Sequence, residues 1–314
     1  MKLDKNDVVA VTGGEGFVGK FVCEELKKNG FENIFVVKHK DFDLTKEKDV
    51  KTFYETVKPS SVIHLAAEVG GIGANMEAPG RFFYANAMMG MLLIEYARIN
   101  NIKKFVQIGT VCSYPKIVDI PFKEEDIWQG FPEETNSPYG ISKKSLLVML
   151  QAYRDQYDLN GIYLIPTNLY GVGDDFDYKT SHVIPALIRK TLKAKERGES
   201  SVECWGTGSA SREFLYVEDC ARAIVQAFMQ YNRKEPVNIG SGKEINIKDL
   251  VNLIIRLCDY NGDVCWDTTK PDGQPRRCID TSKALKCFDF EAQVGFEDGL
   301  KKTINWWMQQ EKNE

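Results

Sequence analysis

Tyr139 and Lys143 stand four apart in "SPYGISKK", a spacing that on a helix puts both side chains on one face, one turn apart. A cation beside a phenol favours the phenolate and makes the tyrosine usable as a proton donor or acceptor near neutral pH. A second group follows the apolar run "KKFVQIG", which reads as a buried strand. There "GTVCSYPK" puts Thr110, Cys112 and Tyr114 at a strand end, where a parallel-sheet protein exposes its chemistry. The eight cysteines contain no C-x-x-C pair, so neither a zinc site nor a disulfide framework is indicated, and no metal is expected. Most cysteines then read as small core residues, and Cys112 is set apart by its position. Of the three histidines, His64 lies in the buried-looking run "SVIHLAA" and reads as core. His39 falls at a strand end, and His182 opens "VIPALIRK" after the loop "GDDFDYKTS".

A third signal is "VAVTGGEGFVGKFV", with Gly13, Gly16 and Gly19 spaced G-x-x-G-x-x-G between a first strand and a first helix. Glycines there let the backbone turn tightly and approach a pyrophosphate, which rests on the free N–H groups and positive dipole end of the helix. Gly13, Gly16, Phe17, Val18 and Gly19 are the expected contacts. The second strand, "NIFVVKHKDFDL", ends in Lys38, His39 and Lys40 instead of the acidic residue that would hold a free ribose 2′-hydroxyl. Positive charge there suits a 2′-phosphate, so NADP is expected over NAD. Glu15, inside the glycine loop, opposes this if it points inward. Asp43 and Leu44 are expected to border the adenine.

The elements that must position these groups alternate. β-rich runs ("DVVAVTG", "IFVVK", "SVIHLAA", "KKFVQIG") are separated by longer helical patterns, the signature of βαβ units. The expected fold class is α/β: a doubly wound parallel-sheet Rossmann domain over residues 1–169, with a returning segment near 214–232. Residues 170–314 are expected to form mainly a smaller mixed α/β substrate-binding lobe, including isolated strands at "SVECWG" and "PVNIGS". A helix is expected from Pro138 through "YGISKKSLLVMLQAYRDQY", followed by one strand, "IYLIPTNLYG". With 314 residues and 43% apolar content the chain can fill a sizeable core. The net charge of -4 lacks the basic excess that nucleic acid or an anionic membrane would call for, and no apolar run is long enough to span a bilayer. The expected compartment is the cytoplasm.

Together these features resemble the extended short-chain dehydrogenase/reductase family over essentially the whole chain. The resemblance implies that Thr110, Tyr139 and Lys143 act together at a nicotinamide. It implies also that Ala66 and Ala67 of "HLAAEVGG" form a cofactor wall supported by Asn86, and that Pro166, Asn168, Leu169 and His182 line the same cofactor. Further segments, "VGGIGAN", "CSYPK", "PTNLYG", "SHVIPALIRK", "REFLYVED" and "KPDGQPRR", are similar to the branch that epimerises and reduces GDP-linked 4-keto-6-deoxy sugars. For that branch the implied roles are Cys112 as base and His182 as acid, with positive charge for the thiolate from Lys143, His182 or the cofactor. Lys190 and Arg212 are implied at the diphosphate, Trp205 and Asp272 nearer the nucleotide or sugar, with Arg276 and Arg277 as additional candidates. Three departures stand out: Lys190 where arginine is frequent, which weakens bidentate phosphate binding, Thr110 where serine is frequent, and Glu15 where some members carry a basic residue in the glycine loop, which bears on the preference for NADP. A homodimer through the helices near 81–100 and 139–157 is also implied. The competing readings are a redox-neutral epimerase of GDP-linked sugars, an epimerase/reductase of a GDP-linked 6-deoxy-heptose, and a catalytically dead NADP-binding scaffold.

Overall fold

The computed structural model describes residues 3–312 apart from Lys179 and Pro271. In chain order the elements are β1 (Val9–Thr12), α1 (Phe17–Lys28), β2 (Ile34–Val37), α2 (Glu47–Val57), β3 (Ser61–His64), α3 (Ile72–Glu77), α4 (Pro79–Ile99) and β4 (Lys104–Ile108). A 3-10 turn at Val111–Ser113 leads on to α5 (Ser137–Tyr157), β5 (Gly161–Pro166), β6 (Asn168–Tyr170), α6 (Val183–Arg197), β7 (Ser201–Trp205) and β8 (Ser211–Tyr216). The chain closes with α7 (Val217–Gln230), β9 (Val237–Ile239), β10 (Glu244–Asn246), α8 (Ile247–Leu257), β11 (Asp263–Asp267), α9 (Ser282–Phe288) and α10 (Phe296–Glu311).

Strands such as "VAVT" and "SVIH" are buried throughout, as strands covered by helices on both faces must be. They build a six-stranded parallel sheet in the order β2-β1-β3-β4-β5-β9. One face packs Ala10, Val62, Phe105 and Tyr163 under α4 and α5, where Leu93, Leu146 and Leu150 fill the layer. The other packs Val11, Ile63, Val106 and Leu164 against Val22 and Leu26 of α1 and Ile224 and Phe228 of α7. From β1 the chain steps to β2 on one side and then to β3 on the other. That reversal opens a crevice at the carboxyl ends of β1 and β3, the place where such sheets bind ligands.

Two differences from the sequence expectation have a common cause. "IYLIPTNLYG" is two strands: β5 ends at Pro166 in the main sheet, and β6 begins at Asn168 in a three-stranded sheet ordered β10-β8-β6. At the joint, the Thr167 N–H bonds the Ile239 carbonyl at 3.0 Å, while the Asn168 side-chain amide bonds the Glu213 carbonyl at 2.8 Å. "PVNIGS", expected in the smaller lobe, instead supplies β9, the sixth strand of the main sheet. A strand that changes sheets and a short strand that returns both read as ordinary apolar runs, because their partners are remote in sequence. The carboxylate of Glu213 fixes this junction by accepting the N–H groups of Ser241 (2.7 Å), Gly242 (2.9 Å) and Ile279 (2.8 Å). Its burial raises its pKa, and three donors offset that cost.

The remaining β7 and β11 pair in parallel, and the lobe core gathers Ile184, Ile188, Phe214, Leu250, Ile254 and Leu300. All eight cysteines are free. Among the described residues no helix is long and apolar enough to cross a membrane, and no cluster of His, Cys, Asp and Glu could hold a metal ion.

Candidate active site

Gly13 turns the chain out of β1 at φ +68°, and a Cβ there would lie 2.8 Å from the Ala66 backbone nitrogen. The loops after β1 and β3 can therefore meet only around a glycine. A Cβ on Gly19 would lie 2.0 Å from the Gly13 carbonyl oxygen, so α1 settles directly on the loop. Gly16 caps α1 in an extended conformation without a side-chain hydrogen bond, leaving first-turn N–H groups around Phe17 and Val18 for an anion. The Thr12 hydroxyl lies 2.7 Å from His64 Nδ1 and accepts the Ala66 N–H at 3.2 Å, tying the two loops together. His64 is fully buried, and its pKa is held well below the ordinary value by burial and then by Lys143. Asn86, on α4, donates to the Glu68 carbonyl at 2.7 Å and accepts the Glu68 N–H at 3.2 Å, which fixes the wall that starts at Ala66 and Ala67. This cradle, made of absent Cβ atoms at a helix N-terminus, fits a dinucleotide pyrophosphate.

At the far end of the cradle Glu15 does not stand free. It pairs with Lys38 at 3.2 Å across an exposed surface, while Lys40 is exposed beside it. Asp43 is held down to about 2, first by the Thr45 hydroxyl, with further help from the Thr45 N–H and Lys46. It thus shapes the turn that carries the buried Leu44.

The two catalytic candidates at the strand end and on the helix are joined by one close contact. Thr110 caps the 3-10 turn, its hydroxyl accepting the Cys112 N–H at 3.2 Å. α5 leans on that turn through Gly140, where a Cβ would lie 2.3 Å from the Cys112 carbonyl oxygen. The Ser113 hydroxyl donates to the Gly140 carbonyl at 2.8 Å. Tyr139 and Lys143 are consequently buried, Lys143 to 1% exposure. Burial pushes the Tyr139 phenol up, nearby Cys112 pushes it further, and a hydrogen bond with Thr110 pulls it down. Burial also brings the Lys143 ammonium down to about 8. The Tyr163 hydroxyl donates to the Lys143 carbonyl at 3.0 Å, and Gly109 has no Cβ because the Tyr163 ring occupies that space.

Cys112 is partly exposed, and the positive charge beside it comes from Arg277, whose Nη1 lies 3.6 Å from Sγ. The resemblance had implied Lys143, His182 or the cofactor for that charge. The only sequence signal for Arg277 was its place in "KPDGQPRR", 165 residues away. Arg212, on β8, donates to the carbonyls of Ser211 (2.7 Å) and Asp272 (3.1 Å). Burial, then the neighbouring Arg277, brings its guanidinium down to about 10.

His182 caps α6, open to solvent in part yet closely crowded by protein atoms. The surrounding protein holds its imidazole below the ordinary value, with Asp175 opposing. The loop before it leans on the glycine stretch after β3, since the Gly71 N–H bonds the Thr180 carbonyl at 3.1 Å. Further out, Trp205 is 56% exposed. Lys190 and Lys270 sit 5.6 Å and 5.5 Å from its ring centroid, and the Asp272 carboxylate accepts the Thr207 N–H (2.7 Å) and hydroxyl (2.8 Å). Thr110, Cys112 and Tyr139 thus form one group with Lys143 one helical turn on. Arg212 and Asp272 touch each other, and Trp205 and Lys190 pair in the lobe. Pro166, Asn168 and Leu169 lie at the β5–β6 joint.

Known proteins resemble this chain over nearly its whole length. Residues 9–240 match the NAD dependent epimerase/dehydratase family. The chain is 40% identical over 305 residues to GDP-L-fucose synthase 1 of Arabidopsis thaliana, covering 97% of this chain and 94% of the relative. It superposes on a GDP-6-OMe-4-keto-L-xylo-heptose reductase from C. jejuni with a TM-score of 0.92 at 28% identity, covering 99% of this chain and 100% of that one. It superposes also on an NADP-bound GDP-L-fucose synthetase from Naegleria fowleri with a TM-score of 0.90 at 29% identity, covering 99% and 96%.

The contact at Gly140 yields a prediction. Gly140→Ala must separate α5 from the Cys112 turn, and turnover falls by about tenfold or more from misplacement alone. Steady-state kinetics beside an unfolding midpoint checks this: a variant with native turnover contradicts it.

Proposed function

The chain is a member of the NAD dependent epimerase/dehydratase family, and from that premise we propose that it converts GDP-4-keto-6-deoxy-D-mannose to GDP-L-fucose, epimerising C3 and C5 and reducing C4 with NADPH. The observation that carries this reading is a base candidate, Cys112, on the turn against which Gly140 of the helix bearing Tyr139 and Lys143 packs directly. One site then holds the groups for proton abstraction and for proton delivery. The GDP-L-fucose synthases of plants and protists at near full length support the choice of substrate.

Carbons 3 and 5 flank the ketone, so their protons are acidic once the enolate is stabilised. The Cys112 thiolate takes the proton: the C–H pair becomes the enolate, and S–H forms. His182, as imidazolium, gives its proton to the opposite face of the same carbon. The proton on sulfur returns to the imidazole through solvent, and both groups are reset for the second centre. The negative charge of the substrate favours the imidazolium, offsetting the enclosure that lowers its pKa.

Gly13, Gly16, Phe17, Val18, Gly19, Ala66, Ala67 and Asn86 would hold NADPH, which supplies the hydride for C4. Lys38 and Lys40 would meet the 2′-phosphate, and Asp43 and Leu44 would border the adenine. Pro166, Asn168 and Leu169 would line the nicotinamide side. Tyr139 gives its phenolic proton to the C4 oxygen, Thr110 orients that oxygen, and Lys143 stabilises the phenolate that remains. Arg212 and Lys190 would receive the diphosphate, with Trp205 and Asp272 at the nucleotide or sugar. The heptose reductase similarity supports a second reading, in which the same steps act on a GDP-linked 6-deoxy-heptose.

We also infer a homodimer through α4 and α5, which expose Phe83, Tyr84 and Met91 on one helix and Val148 and Tyr157 on the other. Sedimentation at working concentration is expected to give twice the chain mass, and a monomer mass contradicts the inference.

Two experiments test the activity. With GDP-4-keto-6-deoxy-D-mannose and NADPH, stoichiometric loss of reduced-nicotinamide absorbance with GDP-L-fucose identified by NMR is expected. No oxidation overturns the reading, and oxidation to an unepimerised sugar removes the roles of Cys112 and His182. The pH profile provides the second. Lys143 is lowered to about 8, so it is charged below that pH and neutral above it. Reduction should fall as pH rises through that region, because phenolate formation loses its cation. Lys143→Met should lower the rate by about 10² or more and abolish that alkaline limb, and an unchanged limb contradicts the assignment.

A further inference from the structure

We propose that Arg277, oriented by Gln274, holds the Cys112 thiol as the thiolate before substrate arrives, an inference that rests on the epimerase reading of Cys112. The arrangement is a closed clamp. Arg277 Nε and Nη2 donate to the Gln274 side-chain oxygen at 3.2 and 3.1 Å. The Gln274 amide in turn donates to the carbonyls of Pro115 (3.4 Å) and Lys116 (3.1 Å). Those carbonyls lie on the loop that also carries Cys112. The one nitrogen left over, Nη1, is the atom that faces Sγ at 3.6 Å.

Charge balance gives the clamp its meaning. Arg277 is 7% exposed and Gln274 5%, and among the described residues no carboxylate forms an ion pair with Arg277. The neighbouring Arg276 is paired instead, with Glu244. A buried guanidinium without a counter-ion is costly, and the thiol is the acidic group within its reach. The other groups around Sγ act in the same sense or are occupied. Arg212 on β8 adds a second positive charge, and Tyr139 on α5 is a neutral phenol. Glu133 is engaged by Thr135 (2.6 Å) and Asn136 (2.9 Å), and the Asp272 carboxylate by Thr207. A thiolate needs such electropositive surroundings, and thiolate content controls its reactivity.

The test reads the thiol directly, without substrate. Native enzyme, Arg277→Met, Arg277→Lys and Gln274→Glu are treated with iodoacetamide at neutral pH, and each cysteine-bearing peptide is followed by mass spectrometry. Exposed Cys265 is the internal reference, and fully buried Cys220 reports whether the fold is intact. Cys112 should label faster than Cys265 in native enzyme and slow by about tenfold in Arg277→Met. Arg277→Lys should recover part of that loss. Gln274→Glu, which sets a carboxylate against the guanidinium, should slow Cys112 while Cys220 stays protected. With substrate and NADPH, Arg277→Met should still oxidise NADPH but release an unepimerised sugar. Unchanged Cys112 labelling in both Arg277→Met and Gln274→Glu overturns the proposal, and a raised KM for the GDP-sugar would then make Arg277 a diphosphate anchor. If native enzyme does not epimerise yet labelling depends on Arg277, the role of Cys112 as base fails and the activation stands.

Discussion

The active site depends on the approach of α5 to the turn after β4, made possible by the missing side chain of Gly140. That contact lets one hydrogen bond, Ser113 to the Gly140 carbonyl, lock the helix carrying Tyr139 and Lys143 to the turn carrying Thr110 and Cys112. The rest follows from the geometry. Burial of Lys143 lowers its pKa and brings its titration near the working range. The nearness of Cys112 disfavours ionisation of Tyr139. In the proposed mechanism, negative charge at Cys112 would keep the neighbouring phenol protonated as the acid for reduction.

Cofactor selection is governed at the other end of the crevice by a weaker balance. Lys38, proposed to meet a 2′-phosphate, is held in an exposed ion pair with Glu15. Exposed pairs of this kind are worth little in water, so an anion can compete for the lysine.

Local signals made much of this legible in the sequence. The glycine loop, the Tyr139–Lys143 pair and the strand end at Thr110 are short-range patterns, and the crevice between β1 and β3 follows from alternation of elements. His182 at the start of α6 and His64 in the core were also readable from their immediate neighbours. What sequence reasoning missed are contacts between distant positions. The change of sheet at Thr167 depends on Ile239 and Glu213. The return of Val237–Ile239 depends on the edge of β5, and Arg277, which bonds Gln274, meets Cys112 from 165 residues away. No periodicity marks such pairings, since each residue is ordinary in its own segment.

In the proposed reaction one site exchanges the protons at C3 and C5 with solvent and delivers a cofactor hydride to C4. It is tested most directly by running the reaction to completion in D2O with unlabelled NADPH and locating deuterium in the product by NMR. Deuterium is expected at C3 and C5 and protium at C4. Protium retained at C3 and C5, or deuterium at C4, would contradict it.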